Sequence, residues 1–464
     1  MKAKFLRLLI LSSFVLVGCD NPFNKKSKTD SEQEETPTVQ TPTGEENKTY
    51  KRKFSYKMEA LLKGSEEPYR IYVDYDDAYF LKDAEVYDKD LSSLSFGMAI
   101  SATYEEWALD FFEHCQFIDI HSHNLNEEPT AYTLGYTFAH KTIGDSELFA
   151  VAIRGHEYKQ EWQNNFLIGE EGDHEGFLHR ANDVYLLLND YISEHHNNRT
   201  IKLWISGYSR AGGISDLLTS LIFKGNDINV TAKNMFVYTF EAPASLCEEN
   251  AIKYKNVHNI INSADLITYI PPTQYGLYRD GEDVEIYDAN VSSIVHAWDN
   301  DINIPVFTST MGATNDIEFV QYVLSSIFDY DGDAGKTAKT RAEYVANYQS
   351  GLSYSIGLIF AMNPSTRTQM MNNLMTNYLV FLDLSGQSMA NFLKTYLDMD
   401  HLSYNNSELV SACAVLVKAF GSIFSGLISL YMSDAGKNDM QRILNMHYPE
   451  VTYCLLNNYH SILA

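Results

Sequence analysis

Residues 201–222 read IKLWISGYSRAGGISDLLTSLI, and their interpretation decides the fold. A short apolar run, IKLWIS, leads into Gly207-Tyr208-Ser209-Arg210-Ala211, and an apolar-periodic helical pattern follows. A strand passing through a sharp turn into a helix can hold a serine at its tip, with the hydroxyl exposed above the sheet. The residues two before and two after that serine must be small, because larger ones would collide with the neighbouring backbone. Gly207 and Ala211 meet this demand. The competing reading is an ordinary serine at a helix start, where its hydroxyl would cap a backbone N–H. The segment alone leaves both open, because a serine nucleophile needs a base and a carboxylate that orients the base.

Working outward, several apolar segments alternate with helical ones. ELFAVAIRG (147–155), MFVYTFEAPA (235–244) and VHNIINSADLITYIP (257–271) read as buried strands beside IKLWIS. YRIYVDYDDAYFL (69–81) suggests a strand pair, and FGMAISATYEEWALDFFEHCQF (96–117) reads as a helix. HEGFLHRANDVYLLLNDYISEHH (174–196) has the spacing of a long amphipathic helix. Strands alternating with helices predict an α/β fold: a mostly parallel sheet with helices on both faces.

The flanks differ in texture. Residues 1–18 combine a basic start (Lys2, Lys4, Arg7), an apolar run and a small-residue end, and so read as a secretory signal. Leu16-Val17-Gly18-Cys19 resembles a bacterial lipobox, which implies lipidation at Cys19 and an extracytoplasmic, lipid-anchored protein. Residues 19–51 are polar and rich in Pro, Thr and Glu, a composition that predicts a disordered tether. The globular core is assigned to 52–290, a helical insertion to 291–440, and a return to the core to 441–464. An apolar block at 409–432 is interrupted by Lys418 and reads as a buried or substrate-facing helix rather than a spanning one. The net charge of −26 opposes binding to nucleic acid, which requires a dense basic surface. Beyond Cys19, the cysteines Cys115, Cys247, Cys413 and Cys454 are widely spaced and are expected mostly as buried free thiols, with a bridge left open.

In this architecture the chain order is Ser, then Asp or Glu, then His. Asp265 stands at the C-terminal end of an apolar strand, the end of a parallel sheet where active sites assemble. Four histidines follow it: His296, His401, His447 and His460. His447 comes where the chain must return to the sheet. A turn aspartate and a core or surface histidine remain alternatives on position alone.

Several stretches, in order, resemble the class 3 lipases of the α/β-hydrolase superfamily, and most closely an exported bacterial branch. AVAIRG (150–155) followed by His156 is similar to the family's F-R-G-T/S turn, and EWQNNF (161–166) and HEGF (174–177) match its next motifs. WISGYSRAGG (204–213) matches the elbow, VYTFEAP (237–243) the following strand, INSADLITYIPP (261–272) the acid segment and HYPEVTYCLL (447–456) the base segment. The resemblance covers 95–290 and 440–456. It implies Ser209 as nucleophile, Asp265 as orienter and His447 as base, with an oxyanion hole from the backbone N–H groups of His156 and Arg210. His156 departs from the family's Thr or Ser, and Ala211 from its commoner Gly. His174 matches a family position away from the triad and is expected to be structural.

The implied activity is hydrolysis of carboxylic esters, with lipid acyl esters as the substrate class and no cofactor or metal. Asp329, Asp331 and Asp333 alternate as in part of a calcium loop, but Thr340 holds the position of its bidentate Glu, so a solvated turn is expected. The alternative function is a catalytically impaired, lipid- or partner-binding surface lipoprotein on the same fold, which His156 and Ala211 would favour.

Overall fold

The computed structural model describes residues 53–60, 69–126, 130, 133–155, 159–298, 316–328, 340–362, 365–367, 369–370, 373, 385–396, 406–422, 443 and 445–463. The expected signal, the tether with Cys19, His156, the acidic turn at 329–335 and His401 lie outside them.

Seven strands form the central sheet: β3 (Ile118–His123), β4 (Tyr136–Ile143), β5 (Ser146–Ile153), β6 (Thr200–Tyr208), β7 (Met235–Phe240), β9 (Val257–Ile261) and β11 (Glu282–Glu285). Their spatial order is β11-β9-β7-β6-β5-β4-β3. Pairing is parallel from β5 to β11 and antiparallel from β5 to β3. A hairpin of β1 (Lys53–Ala60) and β2 (Tyr69–Asp76) and a short pair, β8 (Leu246–Cys247) with β10 (Leu277–Tyr278), stand apart from the sheet. A mostly parallel sheet with helices on both faces makes this the α/β fold that the alternating pattern predicts, of the α/β-hydrolase class that the resemblance implies.

The alternation of side chains along each strand divides the core in two. Trp204 and Tyr208 of β6 and Phe236, Tyr238 and Phe240 of β7 face one layer. That layer is built by α1 (Lys89–Ser101) and the C-terminal Pro449–Leu463 helix, with Phe96, Met98 and Leu455 in the cluster. Leu203, Ile205 and Val237 face the opposite layer, formed by α3 (Glu175–His195) and α4 (Arg210–Gly225) through Phe177, Leu188 and Leu217. Two buried serine contacts fix α1 against β6: Trp204 Nε1 donates to Ser95 Oγ, and Ser206 Oγ donates to the Ser95 carbonyl, each at 2.8 Å.

Three local readings are corrected. The strand pair expected over 69–81 is one strand, β2, followed by a short 3₁₀ helix (Asp77–Leu81), and β2 pairs with β1 instead. The helix expected over 96–117 is two helices, α1 and α2 (Glu105–His114), separated by a turn in which the Thr103 hydroxyl takes the Ile100 carbonyl at 2.8 Å. No element is predicted over 118–143, yet β3 and β4 lie there. Cys115, Cys413 and Cys454 are buried and Cys247 half-buried, all four as free thiols.

The described parts of 291–440 are helical: α5 (Val291–Trp298), α6 (Asp316–Phe328), α7 (Arg341–Tyr344), α8 (Ser350–Ala361), α9 (Gly386–Lys394) and α10 (Asn406–Ser422), with a π turn over Val345–Gln349. α8, α9 and α10 enclose their own apolar cluster around Leu352, Met389, Leu409 and Cys413. Arg341 ties this layer to the core: its guanidinium donates to the carbonyls of Gly169, Gly172 and Ile168 at 2.6–2.7 Å. Among the described residues, no helix is long and apolar enough to cross a membrane. Lys418, in α10, donates to Asn347 Oδ1 at 3.0 Å and lies 5.0 Å from the Tyr348 ring centroid. The final helix, α11 (Pro449–Leu463), returns to the sheet against α1 and α5.

Candidate active site

β6 ends at Tyr208 and α4 begins at Arg210, so a single residue makes the turn. That residue, Ser209, has φ 56° and ψ −129°, a conformation costly for a side-chain-bearing residue, on the order of 1–3 kcal/mol. The surrounding backbone holds it there. Ser209 N donates to the Phe240 carbonyl at 2.8 Å, and its own carbonyl accepts from Gly212 N at 2.8 Å. The turn is tight enough that a Cβ at Gly207 would overlap the Ala211 carbonyl, and one at Gly155 would overlap the Tyr208 carbonyl. Ala211 is fully buried, and its methyl is accommodated. The competing reading, a capping hydroxyl, is not seen: the Ser209 side chain makes no cap bond to α4.

The Ser209 hydroxyl meets a base instead. His447 Nε2 lies 2.8 Å from Ser209 Oγ, and His447 Nδ1 lies 2.5 Å from Asp265 Oδ2. Asp265 is fully buried and caps the short helix Leu266–Tyr269, its Oδ1 accepting from Ile267 N at 2.9 Å. With Nδ1 facing the carboxylate, Nδ1 carries the proton and Nε2 presents its lone pair to the serine hydroxyl. The three residues, 182 and 238 positions apart in pairwise separation to His447, thus form one hydrogen-bonded chain. Ser209 is nearly buried, and the His447 side chain is 23% exposed, so the imidazole borders solvent on one side only.

The imidazole is held from below. Tyr208 stacks on it with ring centroids 5.4 Å apart at 26°, and the Tyr208 hydroxyl donates to the His447 carbonyl. The strand alternation that turns Tyr208 toward α11 therefore also orients the base. Asn262 Nδ2 donates to the Met446 carbonyl at 3.2 Å and couples the acid loop to the base segment.

Two buried carboxyl groups, not singled out by sequence reading, brace this arrangement. Glu241 accepts from Asn262 N at 2.9 Å and from the Thr452 hydroxyl at 3.1 Å, which ties the loop of Asp265 to the helix that follows His447. Burial, then the nearby Asp265 charge, pushes the Glu241 carboxyl well above its ordinary range. Its position in VYTFEAP was visible in the sequence, but its partners come from residues 262 and 452 and were not. Glu161 pairs with Arg210 Nη1 at 2.5 Å and with Arg154. It thereby clamps the residue after Ser209 to the residue before Gly155.

His174 caps α3, its Nδ1 accepting from Phe177 N at 3.4 Å, and stacks on the Phe177 ring at 3.8 Å. Burial lowers its pKa to about 3, so it stays neutral. The backbone of His296 and His460 lies in α5 and α11; their side chains, like His156, fall outside the described set.

A polarised hydroxyl, a base with a fixed tautomer and a buried carboxylate can together carry out nucleophilic acyl transfer. Residues 150–275 match the family model Lipase (class 3), a span that includes Ser209 and Asp265 and supports a lipase-like hydrolase. No curated protein matches the chain. Among solved structures, the chain is similar to the lipase from Rhizopus microsporus var. chinensis at 16% identity, over 43% of this chain and 74% of that one, with a TM-score of 0.32. It is similar to the Rhizomucor miehei triacylglyceride lipase at 18% identity, over 44% of this chain and 82% of that one, with a TM-score of 0.33. Lipase II from Rhizopus niveus matches at 13% identity, over 46% of this chain and 81% of that one, with a TM-score of 0.30.

Proposed function

We propose that the protein is a serine hydrolase of carboxylic esters, with lipid acyl esters as its substrates. The observation that carries the reading is the chain from Ser209 Oγ through the His447 ring to Asp265. Ser209 Oγ attacks the ester carbonyl carbon as His447 Nε2 takes its proton. The carbonyl oxygen becomes an oxyanion, received by the backbone N–H groups of Arg210 and His156. The C–O bond to the alcohol breaks, and the alcohol leaves with the proton from His447. Water, deprotonated by His447, then attacks the acyl-serine and releases the carboxylic acid and the free serine. Asp265 holds the imidazole tautomer and stabilises its charged form throughout.

The preference for lipid esters draws support from two features. The family match bears the name of a lipase. The insertion packs α8 against the segment 159–166, just beyond the Gly155 turn, where an apolar cover over an acyl chain would be placed: Ser353 Oγ donates to the Gln163 carbonyl at 3.1 Å. The LVGC sequence ending at Cys19 supports an exported protein of the bacterial lipoprotein branch, anchored to a membrane by lipid on that thiol. Incorporation of labelled fatty acid that disappears in Cys19→Ala tests the anchor; incorporation that persists rejects it.

The catalytic proposal is tested by hydrolysis of p-nitrophenyl esters of graded acyl length, alongside Ser209→Ala and His447→Ala. Each substitution should lower kcat by roughly a millionfold. A preference for long acyl chains supports a lipase, and a preference for short ones an esterase. A folded wild type without activity on any ester would reject hydrolysis and favour a binding protein on this fold.

A further inference from the structure

At the antiparallel edge of the sheet, away from Ser209, Asp119, His140 and His195 each bring one ligand atom within 4.8 Å of the other two. They come from three elements: β3, β4 and the last residue of α3. His140 is buried, His195 half-buried and Asp119 exposed. We propose that these three residues bind a divalent transition-metal ion of the zinc class, with water completing its coordination.

The two histidines are set up as ligands. His140 Nδ1 lies 2.6 Å from Glu147 Oε1, so that nitrogen carries the proton and gives it to the carboxylate. His195 Nδ1 lies 2.8 Å from the Tyr191 carbonyl, which can only accept, so it too is protonated. Each ring is therefore left with Nε2 as its lone-pair nitrogen. An imidazole whose second nitrogen donates to a carboxylate or a backbone carbonyl is the usual form of a metal-bound histidine. Glu147 is fixed in turn by Thr142 Oγ1, which donates to its other oxygen at 2.8 Å, and by Arg199 at 3.6 Å.

The third ligand explains the choice of cation. His140 Nε2 faces Asp119 Oδ2 at 3.1 Å, two lone-pair atoms that attract each other only through a shared proton or a metal ion. Bonds of about 2.0–2.2 Å in a tetrahedral zinc site separate neighbouring ligand atoms by about 3.3 Å, close to this spacing. Asp119 is placed by a break in the β3–β4 register and by φ 46°, with its carbonyl accepting from the Tyr191 hydroxyl at 2.6 Å. Its side chain is 55% exposed, which gives the ion a path from solvent. Two imidazoles and one carboxylate suit zinc better than calcium or magnesium, which take oxygen ligands.

Bound there, the ion joins an edge strand, its neighbour and the end of α3, and is structural rather than catalytic. His140 pairs with Phe149, and Phe149 with Leu203, five residues before Tyr208 and so roughly 17 Å along the strand.

The test is titration of the chelator-treated, full-length protein with zinc ion alone, by calorimetry and thermal unfolding. The expected result is one ion per chain and a higher melting temperature when zinc is present. Asp119→Asn and His195→Gln change accessible side chains, and each should weaken binding by at least tenfold while the metal-free melting temperature stays that of the wild type. Glu147→Gln should weaken it by about 10–100-fold through the His140 ring. His114→Ala, which removes an exposed histidine beside Asp110, should leave affinity unchanged. Undiminished binding in both Asp119→Asn and His195→Gln, or no binding by the folded wild type, overturns the site. In the latter case His140 holds a proton between its two carboxylates instead.

Discussion

The two sides of the seven-stranded sheet solve different problems. At the end of β6 the backbone itself is the constraint: one residue turns the chain, Ser209 sits at φ 56°, and a Cβ at Gly155 or Gly207 would strike a carbonyl. At the β3–β4 edge order comes instead from side-chain bonds: His140 with Glu147, the Tyr191 hydroxyl with the Asp119 carbonyl, Lys141 with Asp77 at 2.7 Å. The first arrangement concentrates its demands on the few residues around one turn. The second spreads them over positions far apart in the chain. The difference governs both how each region tolerates substitution and how readily each can be read from sequence.

If the elbow is limited by backbone contact, adding a single methyl group should damage it most. Gly155→Ala should destabilise the fold by about 3 kcal/mol, because the overlap is with backbone that cannot rotate away. Urea unfolding reads this; an unchanged midpoint would mean that the turn is softer than its geometry implies.

Glu241 sharpens the comparison, since here the elbow side also relies on a dispersed side chain. Its carboxyl is raised above its ordinary value of 4.5 by burial, then by Asp265, so the folded state holds a proton that the unfolded state releases. Its contribution to stability is thus fully present below pH 4.5 and declines as pH rises through the folded value. Glu241→Gln keeps the shape and removes the titration. Unfolding free energy measured from pH 4 upward should fall less steeply in the variant. Equal slopes would show that Glu241 is ionised in the fold.

The smallest effect belongs to the edge. Tyr191→Phe removes the bond to the Asp119 carbonyl and should cost about 1 kcal/mol by the same urea measurement. A loss as large as that at Gly155 would erase the distinction between the two regions.

The same contrast explains what the sequence made legible. The elbow was readable because strand, small residues, serine and helix follow one another within 201–222. β5, β6, β7 and β9 were readable as apolar runs, buried on both faces. β3 was not: IDIHSH offers only Ile118 and Ile120 as apolar residues, and all six residues are exposed or half-buried. β4 is buried but includes Thr137, His140 and Lys141, whose partners lie elsewhere in the chain. The helix expected over 96–117 broke because Thr103 can close a turn on its own backbone, a local option that apolar spacing does not register. Asp265 stood at a strand end and could be singled out. His447 had three rivals and was favoured by a family resemblance more than by its own surroundings. Glu161, within EWQNNF, and Glu241, within VYTFEAP, each occupied quoted motifs, but the roles of buried carboxyls depend on which groups fold against them.

The long separation of His447 from Ser209 has a consequence in time. A chain emerges from the ribosome N-terminus first, at about 5–20 residues per second. The 238 residues between the two therefore take roughly 10–50 s to synthesise. Throughout that interval Ser209 lacks its imidazole partner. On the proposed function, a nascent chain is thus silent toward the esters of the cell that makes it, and gains a reactive serine only as the last helix docks.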